Sequence, residues 1–361
     1  MKLKWFFVVI LIFSLLLTAC TATDPDNLFG SVPEDTSSED IMYYTGAYQY
    51  GNMQKNIPSG NFMLLNNEVV FYPSSEGPSI LCSYDLLTGE VRPFCKDATC
   101  KHATCVSGSI LGNVEVYNGK LYGKNADFDI EITTYPVVAN GNETEVIINA
   151  DVNTFFHHDD KLYLKTPDSS LLVLEEGQKE PQVILEEYTC YKQVIFENYL
   201  YANRPDDNII RVDLSAEQPA EEIIIPNAGG ITDGEHIYYV DGKTSQLFRC
   251  DMDGKNTQLL VEEPVLLASI NFDDEYFYYR LFTDGLLHGS SDSRDIYRFP
   301  KEDPTQIEKI VTLQESAYQV FTVPGTGKIF VSNHVPLGEE RVIYVMGTDG
   351  SNPTKLELPE Y

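Results

Sequence analysis

The sequence lacks the motifs by which exported hydrolases, nucleotide-binding enzymes and calcium-binding proteins are usually identified. It contains no Gly-x-Ser-x-Gly nucleophile motif, no glycine-rich phosphate loop, no His-Glu-x-x-His zinc motif and no EF-hand loop. Its one tryptophan is Trp5, so a sugar-binding platform would have to use some of the 23 tyrosines. No stretch of the chain therefore specifies a reaction.

Basic residues are also scarce, with 25 Lys and Arg against 55 Asp and Glu and a formal net charge of −30. A surface with this excess of acids repels nucleic acid and anionic lipid headgroups, and it favours solubility and cations. We expect no nucleic-acid partner.

The N-terminus has the three parts of a bacterial export signal. Lys2 and Lys4 precede an apolar run over residues 5–17, and the small residues Thr18 and Ala19 lead to Cys20. The run is too short for a comfortable membrane span. Leu-Thr-Ala-Cys resembles the bacterial lipobox, which implies removal of residues 1–19 and a lipid on Cys20. We expect a protein anchored by lipid to the extracytoplasmic face of the cell membrane.

Residues 20–40 are rich in Asp, Ser, Thr and Pro, which is typical of a flexible acidic linker. The rest of the chain, 41–361, repeats one unit that is clearest at residues 237–261. In this unit an aromatic and β-branched strand, Ile-Tyr-Tyr-Val, is followed by two more short strands separated by turns that contain Asp and Gly. Seven copies of the second strand can be aligned, at residues 68–72, 119–122, 160–163, 198–201, 235–239, 275–278 and 327–330.

Four-stranded antiparallel units repeating at about 40 residues predict an all-β protein, a β-propeller. We predict seven blades, with six or eight as alternatives because the end copies are the least regular. A strand near residues 41–44, or one near 355–358, is expected to close a mixed blade. No helical periodicity of useful length occurs after residue 40.

The unit at residues 247–256, Leu-Phe-Arg-x-Asp-x-Asp-Gly-x-Asn, resembles those of the YWTD-like and TolB-like propellers. The chain is similar above all to YWTD-like propeller lipoproteins of Gram-positive bacteria that carry a domain of unknown function. It departs from true YWTD repeats, because residues 237–240 only approximate the tetrapeptide. The resemblance implies a fold and a surface location, and it implies no activity.

Loop length differs between the two faces of the predicted propeller. Turns between first and second strands, and between third and fourth, are short. The opposite face receives the longer segments, at residues 124–131, 283–294, 332–341 and 95–105. Since long loops on a rigid scaffold usually carry binding sites, we predict that this face binds the partner. The candidate binding-face residues of the sixth unit are Asp284, His288, Asp292 and Arg294.

Four residues spaced C-x4-C-x-H-x2-C form the densest cluster of possible ligands: Cys95, Cys100, His102 and Cys105. Zinc accepts such a set, although exported cysteines are usually oxidised or structural. If residues 87–90 form a two-residue hairpin, Cys82 lies opposite Cys95 and a disulfide becomes possible. Cys100 and Cys105 could then close a second small loop. Disulfides, a zinc site and free thiols all stay open, and no other cofactor is expected.

The run His157-His158-Asp159-Asp160 has the composition of a metal or acid–base cluster. Its place in the repeat is that of a tight turn between first and second strands, so we predict a turn.

These observations favour a non-catalytic, surface-tethered binding or scaffold protein whose partner is an unknown envelope protein or polymer. The alternative is an extracellular propeller enzyme of the lyase or glycosidase type, with acids converging at the channel mouth from separate blades. A third hypothesis is a partner in signalling or envelope assembly, which the TolB-like resemblance suggests.

Overall fold

The structure is a computed structural model, and it describes the repeat region of the chain. The described residues are 62–65, 67–71, 80–95, 100, 110–117, 120–125, 136–140, 143–146, 152–175, 177–282, 293–323, 325–333 and 342–359. Cys20, the signal segment and the linker lie outside them. Within these residues, no helix combines the length and apolar character needed to cross a bilayer.

The described strands form seven four-stranded antiparallel sheets, each built from four consecutive strands. We number the sheets 1 to 7 in chain order. Sheets 1 to 4 consist of β1 (Met63–Leu65), β2 (Glu68–Phe71), β3 (Cys82–Asp85), β4 (Val91–Pro93); β5 (Ile110–Tyr117), β6 (Lys120–Asn125), β7 (Pro136–Asn140), β8 (Glu143–Val146); β9 (Thr154–His158), β10 (Lys161–Lys165), β11 (Leu171–Glu175), β12 (Gln182–Leu185); and β13 (Tyr191–Phe196), β14 (Tyr199–Asn203), β15 (Ile209–Asp213), β16 (Glu221–Ile225).

The second half of the chain repeats the same order. Sheets 5 to 7 consist of β17 (Ala228–Thr232), β18 (His236–Asp241), β19 (Leu247–Asp251), β20 (Gln258–Val261); β21 (Asn271–Phe272), β22 (Tyr276–Tyr279), β23 (Asp295–Pro300), β24 (Glu308–Thr312); and β25 (Gln319–Val323), β26 (Lys328–Ser332), β27 (Ile343–Gly347), β28 (Thr354–Lys355). A short 3₁₀ helix, Leu267–Ser269, lies between sheets 5 and 6.

The prediction of an all-β propeller with four-stranded antiparallel blades is confirmed. Six of the sheets are described with most of their side chains, and these form six blades, the alternative to the seven that were predicted. Sheet 2 is described by its backbone pairing and by few side chains.

The predicted mixed blade is wrong where it relied on residues 355–358. Lys355 belongs to β28, the fourth strand of its own sheet, and residues 41–44 lie outside the described part of the chain. Sheet 7 contacts sheet 1 through side chains instead. The ring of Phe62 lies 4.8 Å, between centroids, from both Phe321 and Phe330.

The hydrophobic core lies between neighbouring sheets. The largest cluster joins sheets 4, 5 and 6, and two others join sheets 3 and 4 and sheets 6 and 7. Tyr238 of sheet 5, for example, stacks on Phe277 of sheet 6 with centroids 4.7 Å apart. The aromatic and β-branched second strands therefore serve packing between blades, because a single four-stranded sheet cannot bury both of its faces.

Four sheets in succession share a bulge between their third and fourth strands. In sheets 3, 4 and 5 the pairing register shifts by one residue after the first residue of the third strand. In sheet 6 it shifts after the second residue of the third strand. A bulge sharpens the local twist and turns the outer edge away from straight pairing. The described pairing of β27 with β28 in sheet 7 shows no such shift.

Candidate functional site

The strand bounds confirm the long connections predicted in sheets 2, 6 and 7, and sheet 1 has one as well. The connections from the second to the third strand are long in sheets 1, 2, 6 and 7, where they span residues 72–81, 126–135, 280–294 and 333–342. In sheets 3, 4 and 5 the same connections span only 166–170, 204–208 and 242–246. Because sheets 7 and 1 touch, the four sheets with long connections are neighbours.

Most of the candidate residues on that loop-rich face fall outside the described residues, namely Asp284, His288 and Asp292. Arg294 is described, is exposed, and directly precedes β23. Its carbonyl oxygen accepts a hydrogen bond from the backbone nitrogen of Leu313 at 2.9 Å. Arg294 therefore marks where the long sixth-sheet connection returns to the rigid part of the fold.

The predicted register of the cysteine hairpin is wrong by two residues. Cys82 lies opposite Pro93 rather than Cys95. The turn is longer than a two-residue hairpin because Asp85 Oδ1 accepts hydrogen bonds from the backbone nitrogens of Leu87 and Thr88, at 2.8 and 2.9 Å. The same hydrogen bonds, that of Thr88 first, lower the pKa of Asp85.

Cys82 and Cys95 are both buried, and Cys100 is partly buried. His102 and Cys105 lie outside the described residues, so the zinc and disulfide alternatives for this cluster stay predictions. Among the residues that the structure does describe, no three His, Cys, Asp or Glu side chains are grouped to hold a metal ion.

The turn predicted at residues 157–160 is confirmed. Asp159 and Asp160 have φ of +46° and +59°, and they join β9 to β10. Burial lowers the pKa of His158, while the neighbouring Asp159 carboxylate, 3.3 Å from its Nε2, opposes that shift. His158 and its aspartates thus belong to a tight turn of the face opposite the long connections.

His157 instead belongs to a buried contact that the sequence did not reveal. Its Nδ1 lies 2.9 Å from Glu115 Oε2, and its backbone nitrogen donates to the same carboxylate at 3.0 Å. The imidazole stacks on Tyr117 with centroids 4.5 Å apart. Glu115 is in sheet 2 and His157 in sheet 3, so the pair joins two sheets. In the sequence, the only indication of this contact is the position of Glu115 between Val114 and Val116 in a strand.

Other buried polar side chains also bridge neighbouring sheets. Asn203 of sheet 4 donates to the carbonyl of Gly230 in sheet 5 at 3.0 Å and accepts from its nitrogen at 2.8 Å. Asn271 of sheet 6 donates to Val320 of sheet 7 at 2.9 Å. Arg280 is almost fully buried, and burial lowers its pKa to about 10. Buried polar groups with hydrogen-bonded partners of this kind fix the relative position of the blades.

Three arginines form a repeated contact at the tight-turn face, and we call Arg211, Arg249 and Arg298 the clamp arginines. Arg298 stacks on Tyr276 at 4.0 Å, pairs with Glu308, and donates to Thr348 O of the next sheet at 2.8 Å. Arg249 donates in the same way to Lys301 O at 3.1 Å. These charge-assisted hydrogen bonds join each sheet to the turn of the sheet that follows.

Arg211 repeats the stacked part of this contact in sheet 4. Its Cζ lies 5.0 Å from the centre of the Tyr199 ring, and its Nη2 lies 2.7 Å from Glu222 Oε2.

A cleft of about 600 Å³ opens at the same face between sheets 7 and 1. One wall comes from sheet 7, including Lys328 and Val345, and the other from the turn of sheet 1, including Tyr84 and Glu90. The cleft lies on the face opposite the one predicted to bind.

No protein-family description and no curated protein matches the sequence. Solved structures do. The β-propeller domain of the Trilobed protease from Pyrococcus furiosus, described as having an open velcro topology, aligns with a TM-score of 0.52 at 12% identity, over 80% of this chain and 93% of that one. The fold is a β-propeller. At this identity the match supports the fold alone.

Two further solved structures align less closely. Oligogalacturonate lyase from Vibrio parahaemolyticus gives a TM-score of 0.46 at 14% identity, covering 82% of this chain and 86% of its own. A putative TolB from Agrobacterium tumefaciens gives 0.40 at 13% identity, covering 60% and 84%.

Proposed function

We propose that this protein is a surface-tethered, non-catalytic binding or scaffold propeller that engages an envelope protein or polymer through its loop-rich face. The observation that carries the proposal is the clustering of the long connections. They belong to sheets 6, 7, 1 and 2, which are neighbours, and all leave the second strand at the same face. Long connections on neighbouring elements of a rigid scaffold are the usual construction of a binding surface.

The described buried polar groups fit a scaffold role. Glu115 with His157, Asn203, Asn271 and the clamp arginines Arg249 and Arg298 each make hydrogen bonds to the next sheet. The hydrogen bonds of these polar groups therefore hold neighbouring sheets together. We further propose that sheet 2 is a blade of the same ring, which gives seven blades in all.

The tether in this proposal is a lipid on Cys20, within an export signal of the bacterial lipoprotein type. The motif Leu-Thr-Ala-Cys and the basic and apolar residues before it support this. A linker at 20–40 and the origin in a Gram-positive lipoprotein family, with a YWTD-like or TolB-like propeller, belong to the same proposal.

The test uses photo-crosslinking in the cells that make the protein. A photoreactive amino acid replaces Arg294, at the loop-rich face, or Lys255, which is exposed at a tight turn of the opposite face. We expect a discrete adduct from position 294 and none from 255. Adducts from 255 alone, or from neither position, would contradict the proposed binding face.

Cys20→Ala is the control for the tether. In this variant we expect the protein to leave the membrane fraction or to stay unprocessed, and the position-294 adduct to disappear with it. A Cys20→Ala protein that fractionates and crosslinks like the wild type contradicts the tether while leaving the binding face intact.

A further inference from the structure

The strand register gives the clamp arginines one common position. Each lies in the third strand, directly opposite a polar residue of the fourth strand, so the two side chains share a face. Two residues further along the third strand, the facing residue of the second strand is aromatic. The three sets, in sheets 4, 5 and 6, are Tyr199, Arg211, Glu222; His236, Arg249, Gln258; and Tyr276, Arg298, Glu308.

Sheet 7 has none of these residues at the corresponding positions. Val345 lies opposite Thr354, and Lys328 lies opposite Gly347, two residues beyond Val345. Lysine, valine and threonine thus replace the aromatic residue, the arginine and its polar partner. All three replacements line the cleft between sheets 7 and 1. The cleft therefore occupies the place that a clamp arginine fills in sheets 4 to 6.

Sheet 3 also lacks the arginine, but apolar side chains of sheets 3 and 4 pack together in this region. Val173 stands at the corresponding position, opposite Gln182. Ile184, from the bulged part of β12, and Leu214, from the turn of sheet 4, pack against the same hydrophobic cluster as Val173. The hydrophobic cluster between sheets 3 and 4 therefore has apolar side chains from both sheets packed against it.

Between sheets 7 and 1 the space stays open. β28 lacks the bulge in its described pairing, and the turn of sheet 1 stands away from it. A methyl group added at Gly89 would meet only Tyr84 Oη, at 3.6 Å, whereas one added at the corresponding Gly350 of sheet 7 would lie 2.3 Å from Ile310 O of sheet 6. The space that remains is the cleft.

The cleft has the chemistry that suits a long side chain with a cationic head. Val91, Val345 and Leu356 are apolar lining residues that suit an alkyl stem, and Glu90 and Glu357 are acidic lining residues. The net charge of −30 attracts basic partners over a longer range. Lys328 opposes a cation, and Lys355 is turned to Glu315, 3.8 Å away.

We propose that the cleft between sheets 7 and 1 binds an arginine side chain of a partner polypeptide, in the position that a clamp arginine occupies in sheets 4 to 6. The guanidinium of the partner then takes the place of the arginine that sheet 7 lacks at Val345. The site is on the face opposite the loop-rich face, so it stands or falls independently of the function proposed above.

The test measures ligand binding to the full-length protein in detergent micelles by ligand-observed NMR. The probes are N-acetyl-arginine methylamide and its neutral isostere, N-acetyl-citrulline methylamide. We expect a Kd on the order of 1 mM for the arginine derivative, as small ligands of this size generally achieve. The citrulline derivative should bind at least about fivefold more weakly, because it keeps the shape and lacks the charge.

Variants move the affinity in both directions. Val345→Arg places the protein's own guanidinium in the cleft, so it should abolish binding without lowering the melting temperature. Lys328→Tyr removes a like charge and restores the aromatic partner, so it should tighten binding about two- to fivefold. Glu90→Gln together with Glu357→Gln should weaken it, and Arg294→Met, on the other face, should leave it unchanged.

Three results overturn the proposal. They are equal binding of the arginine and citrulline derivatives, unchanged binding in the Val345→Arg and Lys328→Tyr variants, and preferential binding of N-acetyl-glutamate methylamide, which would identify Lys328 as the centre of an anion site. Should Val345→Arg fail to fold, the gain expected from Lys328→Tyr decides the matter.

Discussion

At the scale of single residues, glycine determines how closely neighbouring sheets approach at the tight-turn face. Gly254 and Gly350 have φ of +77° and +78°, and each lies against the outer strand of the preceding sheet. A methyl group at these positions would come within 2.6 Å of Ile224 O and 2.3 Å of Ile310 O. Gly89 has nearly the same φ, +75°, but faces the cleft. A substitution at Gly89 therefore tests backbone strain alone, whereas one at Gly254 or Gly350 tests backbone strain together with steric contact.

Alanine substitution at Gly350 and Gly89 should give unequal losses of stability. Gly89→Ala meets only the left-handed conformation, which costs about 1–2 kcal/mol. Gly350→Ala adds the collision with Ile310 O, for a total of about 3 kcal/mol or more. Urea unfolding followed by circular dichroism measures both. Equal losses would show that the turn of sheet 7 moves away from sheet 6 without cost.

At the scale of elements, the third strand carries the contact that joins one sheet to the next. Arg298 reaches its stacking ring, its carboxylate and the Thr348 carbonyl together. Arg294, four residues earlier, is exposed on the opposite face and makes no clamp. The two arginines are thus a matched pair within one segment of chain.

Arg298→Met should lower the free energy of unfolding by about 2–3 kcal/mol, because it removes a charge-assisted hydrogen bond and a cation–π contact while keeping the alkyl stem. Arg294→Met should change it by no more than about 0.5 kcal/mol. Differential scanning calorimetry of the two variants tests this. A loss of similar size in both would assign the effect to general charge and not to the clamp.

The strands themselves could be predicted from sequence, because alternation and β-branched residues define them locally. Residues 237–240 lie within β18, and the predicted third strand 247–251 coincides with β19. The hairpin register at Cys82 could not be predicted, because the cap by Asp85 sets the turn length.

Pairings between blades were beyond reach for a different reason. Glu115 and His157 are separated by 42 residues and meet only once the blades are stacked. The cleft was hidden for the same reason, since it arises from what sheet 7 lacks relative to sheets 4 to 6.

At the scale of the whole molecule, tyrosines are buried between blades around much of the ring. Burial raises the pKa of Tyr163 to about 12, and it raises the pKa of Tyr188, Tyr238, Tyr278 and Tyr279 as well. For Tyr238 and Tyr278 the carboxylates of Asp233 and Asp273 add to the effect. The folded state therefore holds these phenol protons more tightly than the unfolded chain, where the pKa is about 10.

Stability should therefore be independent of these tyrosines below about pH 10 and should fall as the pH rises above that value. Arg280, with its pKa lowered to about 10, contributes the opposite slope, but it is one group against five. In an alkaline titration the more exposed tyrosines should ionise first, and a second rise in the ultraviolet absorbance of tyrosinate, from the buried tyrosines, should coincide with unfolding. Tyr278→Phe should make the dependence shallower. Ionisation of all the tyrosines before unfolding would contradict the burial.

The repeated bulge of sheets 3 to 6 has a consequence for protein at high density. Val183, Ile223 and Leu259 are exposed to 58%, 51% and 45%, and they occupy corresponding places in the outer strands of three successive sheets. A straight strand with such residues is a template for fibrous self-association. The extra residue at each bulge breaks the spacing that a second copy would have to match. We therefore expect molecules crowded side by side on a surface not to associate through their outer strands, although these strands expose apolar side chains.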